Sequence, residues 1–374
     1  MATDEAHDTD DVILDMGKYN TFLTDEELNN AQPMIHTIFP VPRRLKNRNP
    51  EAYSPQMVSV GPYHYGEPHL KPMDEQKRTA LRDLLRSSGR QTSDFIGPLK
   101  RAATALMRSY ERLDEKWIKN EDGFLRLMLL DGSFLWAQQR KKDPPAVSHF
   151  FQRSPSDVEL EEDLHMVENQ LPLLVLNIIE AVAAWNFTSL RNLLESKGDA
   201  RGREAALLGA RIRYHIGNAD SFWEPRDTLS LPNVKSLSHY KRAGGVVLSC
   251  SNSVYISTLS FDLETGKLSL PFLYMVPGNE RTLYLNAVAY ERLHPQVLRP
   301  VVTSFLWILL QLIRSADDVA MLDEDGILNA DSREAFLDAL IRLGEDMGFV
   351  PYTVYEPPGL LENLELFCLK KTPH

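Results

Sequence analysis

The chain has 374 residues, 43% hydrophobic and 25% charged, which fits an ordinary globular protein and excludes a disordered or fibrous one. Its formal net charge is -11, from 41 basic and 52 acidic residues without a long Lys/Arg run. That argues against nucleic-acid binding, which needs a basic footprint to displace counterions from phosphates. The two cysteines, Cys250 and Cys368, exclude a disulfide framework and a four-cysteine zinc site and suit a reducing compartment.

Residues 1–33 read as an acidic, flexible tail without a secretory signal, carrying one short helix that Thr24 and Glu27 open with a capping-box pattern. From Met34 to Met73 the prolines at 40, 42, 50, 55, 62, 68 and 72 predict extended chain and loops, since proline removes a donor and biases its predecessor away from helix. "DEQKRTALRDLLRSS" then predicts a helix from Asp74, with acid at its start and Leu81, Leu84 and Leu85 on one face. Further helices are expected at 93–118, 122–140, 160–185, 187–196 and 202–216, with Pro172 kinking the 160–185 stretch or starting a new helix. The sequon at Asn186 carries no weight without a secretory route.

After Gly217 the pattern changes. "GGVVLSC", "SVYISTLSFDL" and "GKLSLPFLYMV" predict a small antiparallel β insert at about 244–277, with a turn in "DLETGKL". Helix returns at 279–295, 297–316 and 331–347. The expected class is mainly α with a small antiparallel β insert, a single large helical domain over 34–349, followed by a divergent segment at 350–374. The apolar run Val301–Ile313 is about 13 residues long, short of the roughly 20 that cross a bilayer, so integral membrane association is not expected. That run is expected to pack in the core; peripheral attachment through its apolar face is the alternative.

Four stretches carry candidate chemistry. In "VGPYHYGEPHLKPMDEQKR", His64 and His69 sit in a loop that Pro62 and Pro68 stiffen and Gly61 and Gly66 allow to turn. Their spacing matches no zinc signature, and a rigid structural corner is the plainer reading. "DLHMVENQLPLLVLNIIEAV" interrupts an apolar surface with Glu168, Asn169 and Gln170 just before Pro172. Buried polar groups need partners, so the trio is expected to bond backbone at the proline kink, with a binding or acid role for Glu168 as the alternative. In "LMLLDGSFLWAQQ" no strand precedes Ser133, which makes a nucleophile elbow a poor fit and Asp131 a buried hydrogen-bond partner. "SADDVAMLDEDGILNADSRE" lacks the glycine and glutamate placement of a calcium loop and reads as a capped, solvated helix start. No metal or cofactor is expected.

Taken together, "IFPVPRRLKNRNPEAYSPQMVSVGPYHYGEPHLKPMDEQKR", "LLDGSFL", "DLHMVENQLPLLVL", "LPNVKSLSHYKRAGGVVL", "LYLNAVAYERL" and "SADDVAMLDEDGIL" resemble, in order, the blocks of the plant domain-of-unknown-function-247 family over about residues 35–345. Tyr63 belongs to that candidate signature with Gly61, Pro62, His64, Gly66 and the Glu168–Asn169–Gln170–Pro172 block. The resemblance implies a largely helical plant protein without an established catalytic activity, and protein contacts of the kind some grass members use in self-recognition between pollen and stigma. It also implies a C-terminal membrane-anchoring helix, from which "VPYTVYEPPGLLENLELFCLKKTPH" departs. The resulting expectation is a non-enzymatic plant protein of the cytoplasm, or peripheral at the plasma membrane, that acts through an unknown protein partner in recognition, signalling or defence. The alternative is a soluble hydrolase using His64 or His69 with Glu168 or Asp131.

Overall fold

The computed structural model describes residues 37–141, 155–184, 222–274, 280–295, 298–329, 332–348 and 351–371. The tail helix expected from Thr24, the sequon at Asn186 and the helices expected at 187–196 and 202–216 lie outside these residues.

Proline dictates the first stretch. Between Thr37 and Met73 the helical pieces are α1 (Arg43–Arg48) and two 3-10 turns, Glu51–Tyr53 and Pro68–Met73. α2 (Asp74–Ser88) follows with Asp74 and Glu75 in its first turn and Arg86 in its last, and Gly89 stops it in the left-handed region at φ 65°. The helix expected over 93–118 is divided into α3 (Thr92–Arg101), α4 (Ala103–Arg108) and α5 (Glu115–Ile118), and Arg112 turns the chain at φ 54°. α6 (Glu121–Lys141) matches expectation. Of the two outcomes expected for Pro172, the new helix is the one found: α7 (Pro155–Asp163) and α8 (Leu173–Ala183) are separated by a nonhelical stretch whose last residue, Pro172, caps α8.

α2 and α3 pack on α6, and α8 packs on α3 and α6. The α6–α8 crossing is close: a Cβ on Gly132 would stand 2.6 Å from Ile179 Cδ1 and 2.8 Å from Val175 Cγ1.

The second half contains β1 (Glu224–Asp227), α9 (Leu237–Gly244), β2 (Val247–Cys250), β3 (Ser260–Asp262), β4 (Lys267–Leu270), β5 (Leu273–Tyr274), α10 (Glu280–Leu293) and α11 (Val301–Leu312). It continues with α12 (Ala316–Glu324), β6 (Leu328–Asn329), α13 (Arg333–Met347), β7 (Thr353–Glu356) and α14 (Leu360–Lys371). The class is mainly α with small sheets, as expected. Within the insert, β3 and β4 form the expected hairpin, with Phe261 opposite Leu268, but β2 runs parallel to β4 on its other edge. The insert is therefore mixed rather than purely antiparallel, because the chain between β2 and β3 passes through a 3-10 turn at Ile256–Thr258 instead of a tight hairpin.

Residues 353–371, expected as part of a divergent segment, pack into the body. β7 pairs antiparallel with β1, and α14 buries Leu360, Leu361, Leu364, Phe367 and Cys368 while packing on α9 and β3. α11 is also a core helix, with Val301, Val302, Phe305, Leu306, Ile308, Leu309 and Leu312 buried, so its apolar surface is not offered to a bilayer. No helix among the described residues is long and apolar enough to cross a membrane.

Two buried carboxylates start helices here. Glu291 accepts from Val302 N (2.7 Å), Thr303 N (2.9 Å) and Thr303 Oγ1 (2.7 Å) at the first turn of α11, and burial pushes its carboxyl up to about 7. Asp318 and Ser315 form a capping box on α12; the start expected here is capped and solvated, and the cap is present, but Asp318 is buried, because it also accepts from Ser238 N at 2.7 Å. The two halves meet where α10 packs on the 51–53 turn, and Asn286 donates to Ala52 O (2.7 Å) and accepts from Val167 N (2.9 Å).

Candidate functional site

The proline-rich segment poses a physical problem. Its backbone is buried from Val58 to Gly61, yet it joins no helix or sheet, and buried N–H and C=O groups must find partners. Side chains from the end of α7, from the nonhelical stretch before α8, and from α2 and α6, supply them. Asp163 accepts from the amides of Gln56 (2.9 Å), Met57 (2.7 Å) and Val58 (2.7 Å). Asn169 accepts from Val60 N and donates to Val58 O and Asp163 O, both at 2.9 Å. Asp131 accepts from Gly61 N (2.9 Å), and Lys77 donates to Ser59 O and lies 2.7 Å from Asp131 Oδ1. Six successive residues, Gln56 to Gly61, thus have backbone groups bonded by side chains in place of a strand.

Lys77 and Asp131 are both fully buried. Burial pushes the Asp131 carboxyl up, and the Lys77 ammonium and the Gly61 amide pull it back only in part. Gln170 donates to Leu164 O (2.9 Å) and Met166 O (2.8 Å), tying the nonhelical stretch to itself, and its own carbonyl accepts from Tyr110 OH at 3.0 Å. Tyr63 donates to the carbonyls of Ile38 and Glu111. The trio before Pro172 therefore does bond backbone, as expected, but Glu168 and Asn169 reach a segment more than a hundred residues away.

Glu168 is the second charged centre, only 3% exposed. It accepts from Val41 N (2.6 Å) and from Lys46 Nζ, and its Oε2 lies 3.2 Å from His64 Nε2. His64 Nδ1 lies 2.8 Å from Glu67 Oε1, so the ring stands between two carboxylates. Burial opposes the imidazolium, but Glu168 and Glu67 outweigh it and raise the His64 pKa above its ordinary value. Burial likewise opposes the Glu168 carboxylate, and His64, Lys46 and Val41 N outweigh it and hold the carboxyl below its ordinary range. Nδ1 is in hydrogen-bond contact with Glu67, while Nε2 faces Glu168 at ion-pair distance without hydrogen-bond geometry.

The residues of the alternative catalytic reading fall in different places. His64 and Glu168 meet. Asp131 pairs with Lys77 and Gly61. His69 is half exposed, with Nε2 2.9 Å from Pro55 O and 3.8 Å from Glu67. Ser133 donates back to Leu129 O within α6. No group of three or more His, Cys, Asp or Glu suited to a metal occurs among the described residues.

At Gly61 the clamp brings backbone against backbone. Here φ is +79°, and a Cβ would stand 2.4 Å from the backbone oxygen of Gln170. Gly61→Ala is expected to cost about 1–3 kcal/mol through backbone strain, read as a lowered urea midpoint. At Gly66 (φ +92°), where nothing stands within 4 Å, alanine meets only the strain.

Sequence reading missed Lys77, Asp163, Lys46 and Asn286. For Lys77 the signal was present: Lys77, Leu81 and Leu84 are spaced i, i+4, i+7 and share one helix face, so a lysine stood on the apolar side. Asp131 stands in the same relation to Phe124, Met128 and Leu135, and two opposite charges on two apolar faces predict a buried pair.

The fold is thus a helical body clamping an irregular N-terminal segment through buried charges, and its clamp residues are the blocks by which the sequence resembles a plant family. The profile of the DUF247 family, described as plant protein of unknown function, matches residues 38–371, and the chain belongs to this family. It is similar to UPF0481 protein At3g47200 of Arabidopsis thaliana, 22% identical over 333 residues, covering 78% of this chain and 68% of that protein. It is also similar to Putative UPF0481 protein At3g02645 of Arabidopsis thaliana, 29% identical over 152 residues, covering 40% of this chain and 28% of that one. No solved structure matches.

Proposed function

We propose that this is a non-enzymatic protein whose signature charges build the fold, and which acts through protein–protein contacts in recognition or signalling, reproductive self-recognition or defence being the settings in which such contacts serve. We place it in the cytoplasm, in keeping with two cysteines that form no disulfide. The observation that supports the reading is the engagement of Glu168: a backbone amide and an ammonium bond it, and the His64 ring lies at ion-pair distance from a carboxylate only 3% exposed. A carboxylate buried and engaged in this way is suited to holding chain in place.

The enzyme reading retains one observation, the 3.2 Å approach of His64 to Glu168. A general base needs a neutral imidazole, however, and the two carboxylates around His64 favour the charged ring. The test is capture of the tagged chain from plant tissue with mass spectrometry, beside assays on chromogenic esters, phosphates and glycosides. A reproducible partner without turnover supports contacts. Turnover that disappears in a folded His64→Gln variant overturns them.

A further inference from the structure

On the opposite half of the fold, a cleft of about 350 Å³ opens between the segment after β1 and the outer face of α14, within the roughly 300–1,000 Å³ of ligand sites. Among the described residues, Glu356, Glu362 and Glu365 line it together with one cation, Arg226. That cation is loosely held: Arg226 Nε lies 3.5 Å from Glu356 and its Nη2 lies 3.9 Å from Glu362, both too long for good hydrogen bonds. Glu356 is 1% exposed, receives Leu361 N at 2.9 Å, and is pushed up by burial. Glu365 accepts from Tyr240 OH, so the exposed Glu362 is the carboxylate left most open, with Arg226 as its distant cation.

Next to the lining residue Ser230 in sequence, Leu229 is 91% exposed, and Tyr352, 89% exposed, accepts at its backbone oxygen from Thr228 N at the end of the β1–β7 ladder. Leu366 lines the cleft, and Leu369, one turn further along α14, is also exposed. Large side chains presented this fully, beside an acidic cleft, mark a contact surface rather than a solvated one.

We propose that this cleft docks a basic, leucine- or aromatic-flanked peptide segment of a partner protein. An arginine or lysine of the partner enters beside the exposed Glu362 and adds to the charge that Arg226 supplies loosely. Its apolar neighbours cover Leu229, Tyr352 and Leu366. The occupant follows from charge complementarity: an anionic or purely apolar segment would bury Glu362 without a close cation. The proposal rests on the protein-contact reading and names the chemistry of the partner.

The test uses the full chain and a fluorescein-labelled peptide of alternating arginine and leucine, followed by fluorescence anisotropy. Its control replaces every arginine by glutamate. Saturable binding of the basic peptide, absent for the control, is expected, with affinity falling at least about tenfold in a Glu362→Arg, Leu229→Ser variant. Both substituted side chains are solvent-exposed, so folding should persist. Asp83→Arg on α2 makes the same charge change away from the cleft and should leave affinity within about twofold. Equal weakening by Asp83→Arg, or none by the cleft variant, overturns the proposal. So does a concentration-dependent dimer that the cleft variant abolishes, since a second copy would then be the occupant. Partners captured from tissue equally by wild type and cleft variant overturn the cleft while leaving the contact reading intact. Substrate turnover instead overturns the contact reading whatever the peptide does.

Discussion

Lys77→Met is expected to lower stability by about 3–5 kcal/mol, the cost of leaving one member of a buried ion pair without the other. Lys77 and Asp131 are fully buried, with 2.7 Å between Nζ and Oδ1, and neither can turn to water when its partner is lost. Two features separate this from ordinary loss of packing. The first is rescue: Asp131→Asn added to Lys77→Met should restore part of the loss, because asparagine removes the orphaned charge while its carbonyl still accepts from Gly61 N. The second is pH. Burial already raises the Asp131 carboxyl above its ordinary 3.8 with Lys77 present, and removing the ammonium raises it further. A raised folded-state pKa contributes stability that is present below the unfolded value and lost as pH rises through the folded one. The Lys77→Met deficit should therefore grow from acid toward neutral pH, read as urea midpoints across that range. A deficit that is independent of pH and not rescued would mean that Lys77 acts through its hydrocarbon stem alone.

Glu168→Ala is expected to cost about 3–5 kcal/mol, and Glu168→Gln about 2–3 kcal/mol, because glutamine keeps an acceptor for Val41 N but removes the charge facing His64 and Lys46. The sign with pH differs from the Lys77 case because the two groups shift in opposite directions. Glu168 is lowered, so its contribution is present above the ordinary 4.5 and is lost as pH falls through its folded value. His64 is raised, so its contribution is fully present below the ordinary 6.5 and is lost as pH rises through its folded value. The deficit of Glu168→Gln relative to wild type should therefore be widest between 4.5 and 6.5 and narrow on both sides. Midpoints measured at about pH 4, 5.5 and 8 check this, and a deficit that keeps widening at pH 8 would remove His64 from the cluster.

Much of the helical body was legible in the sequence because its helices are amphipathic and their ends carry chemical signals: acids at Asp74 and Glu75, Gly89 after Ser88, Ser315 with Asp318. The break between α7 and α8 was legible only at Pro172. The apolar spacing of Leu164, Val167 and Leu171 mimics a helix, yet in the fold these residues are buried from an irregular stretch whose polar side chains are claimed by distant backbone. Tertiary bonding overrode local pattern there, and periodicity does not record which distant amides need partners. The parallel placement of β2 was hidden for a related reason, since strand composition does not state which edge of a neighbour a strand joins. Glu168, Asn169 and Asp131 stood out as polar residues among apolar ones, and all three proved to be placed against the segment from Val41 to Gly61. Lys77, the partner of Asp131, was hidden by being one charge among several at the start of α2. Its spacing from Leu81 and Leu84 outweighs its charge as a guide to where it points.

Amide hydrogen exchange at Val58, Val60 and Gly61, in wild type and in Asn169→Ala, most directly tests whether side chains hold this segment as a strand would. These amides are expected to exchange in wild type only through large-scale opening, though they belong to no helix or sheet. In Asn169→Ala, Val60 loses its acceptor and should exchange at least about tenfold faster, while amides in the middle of α11 change only as far as global stability falls. Rapid exchange at Val58, Val60 and Gly61 in wild type, or protection of Val60 that survives Asn169→Ala undiminished, would contradict the clamp.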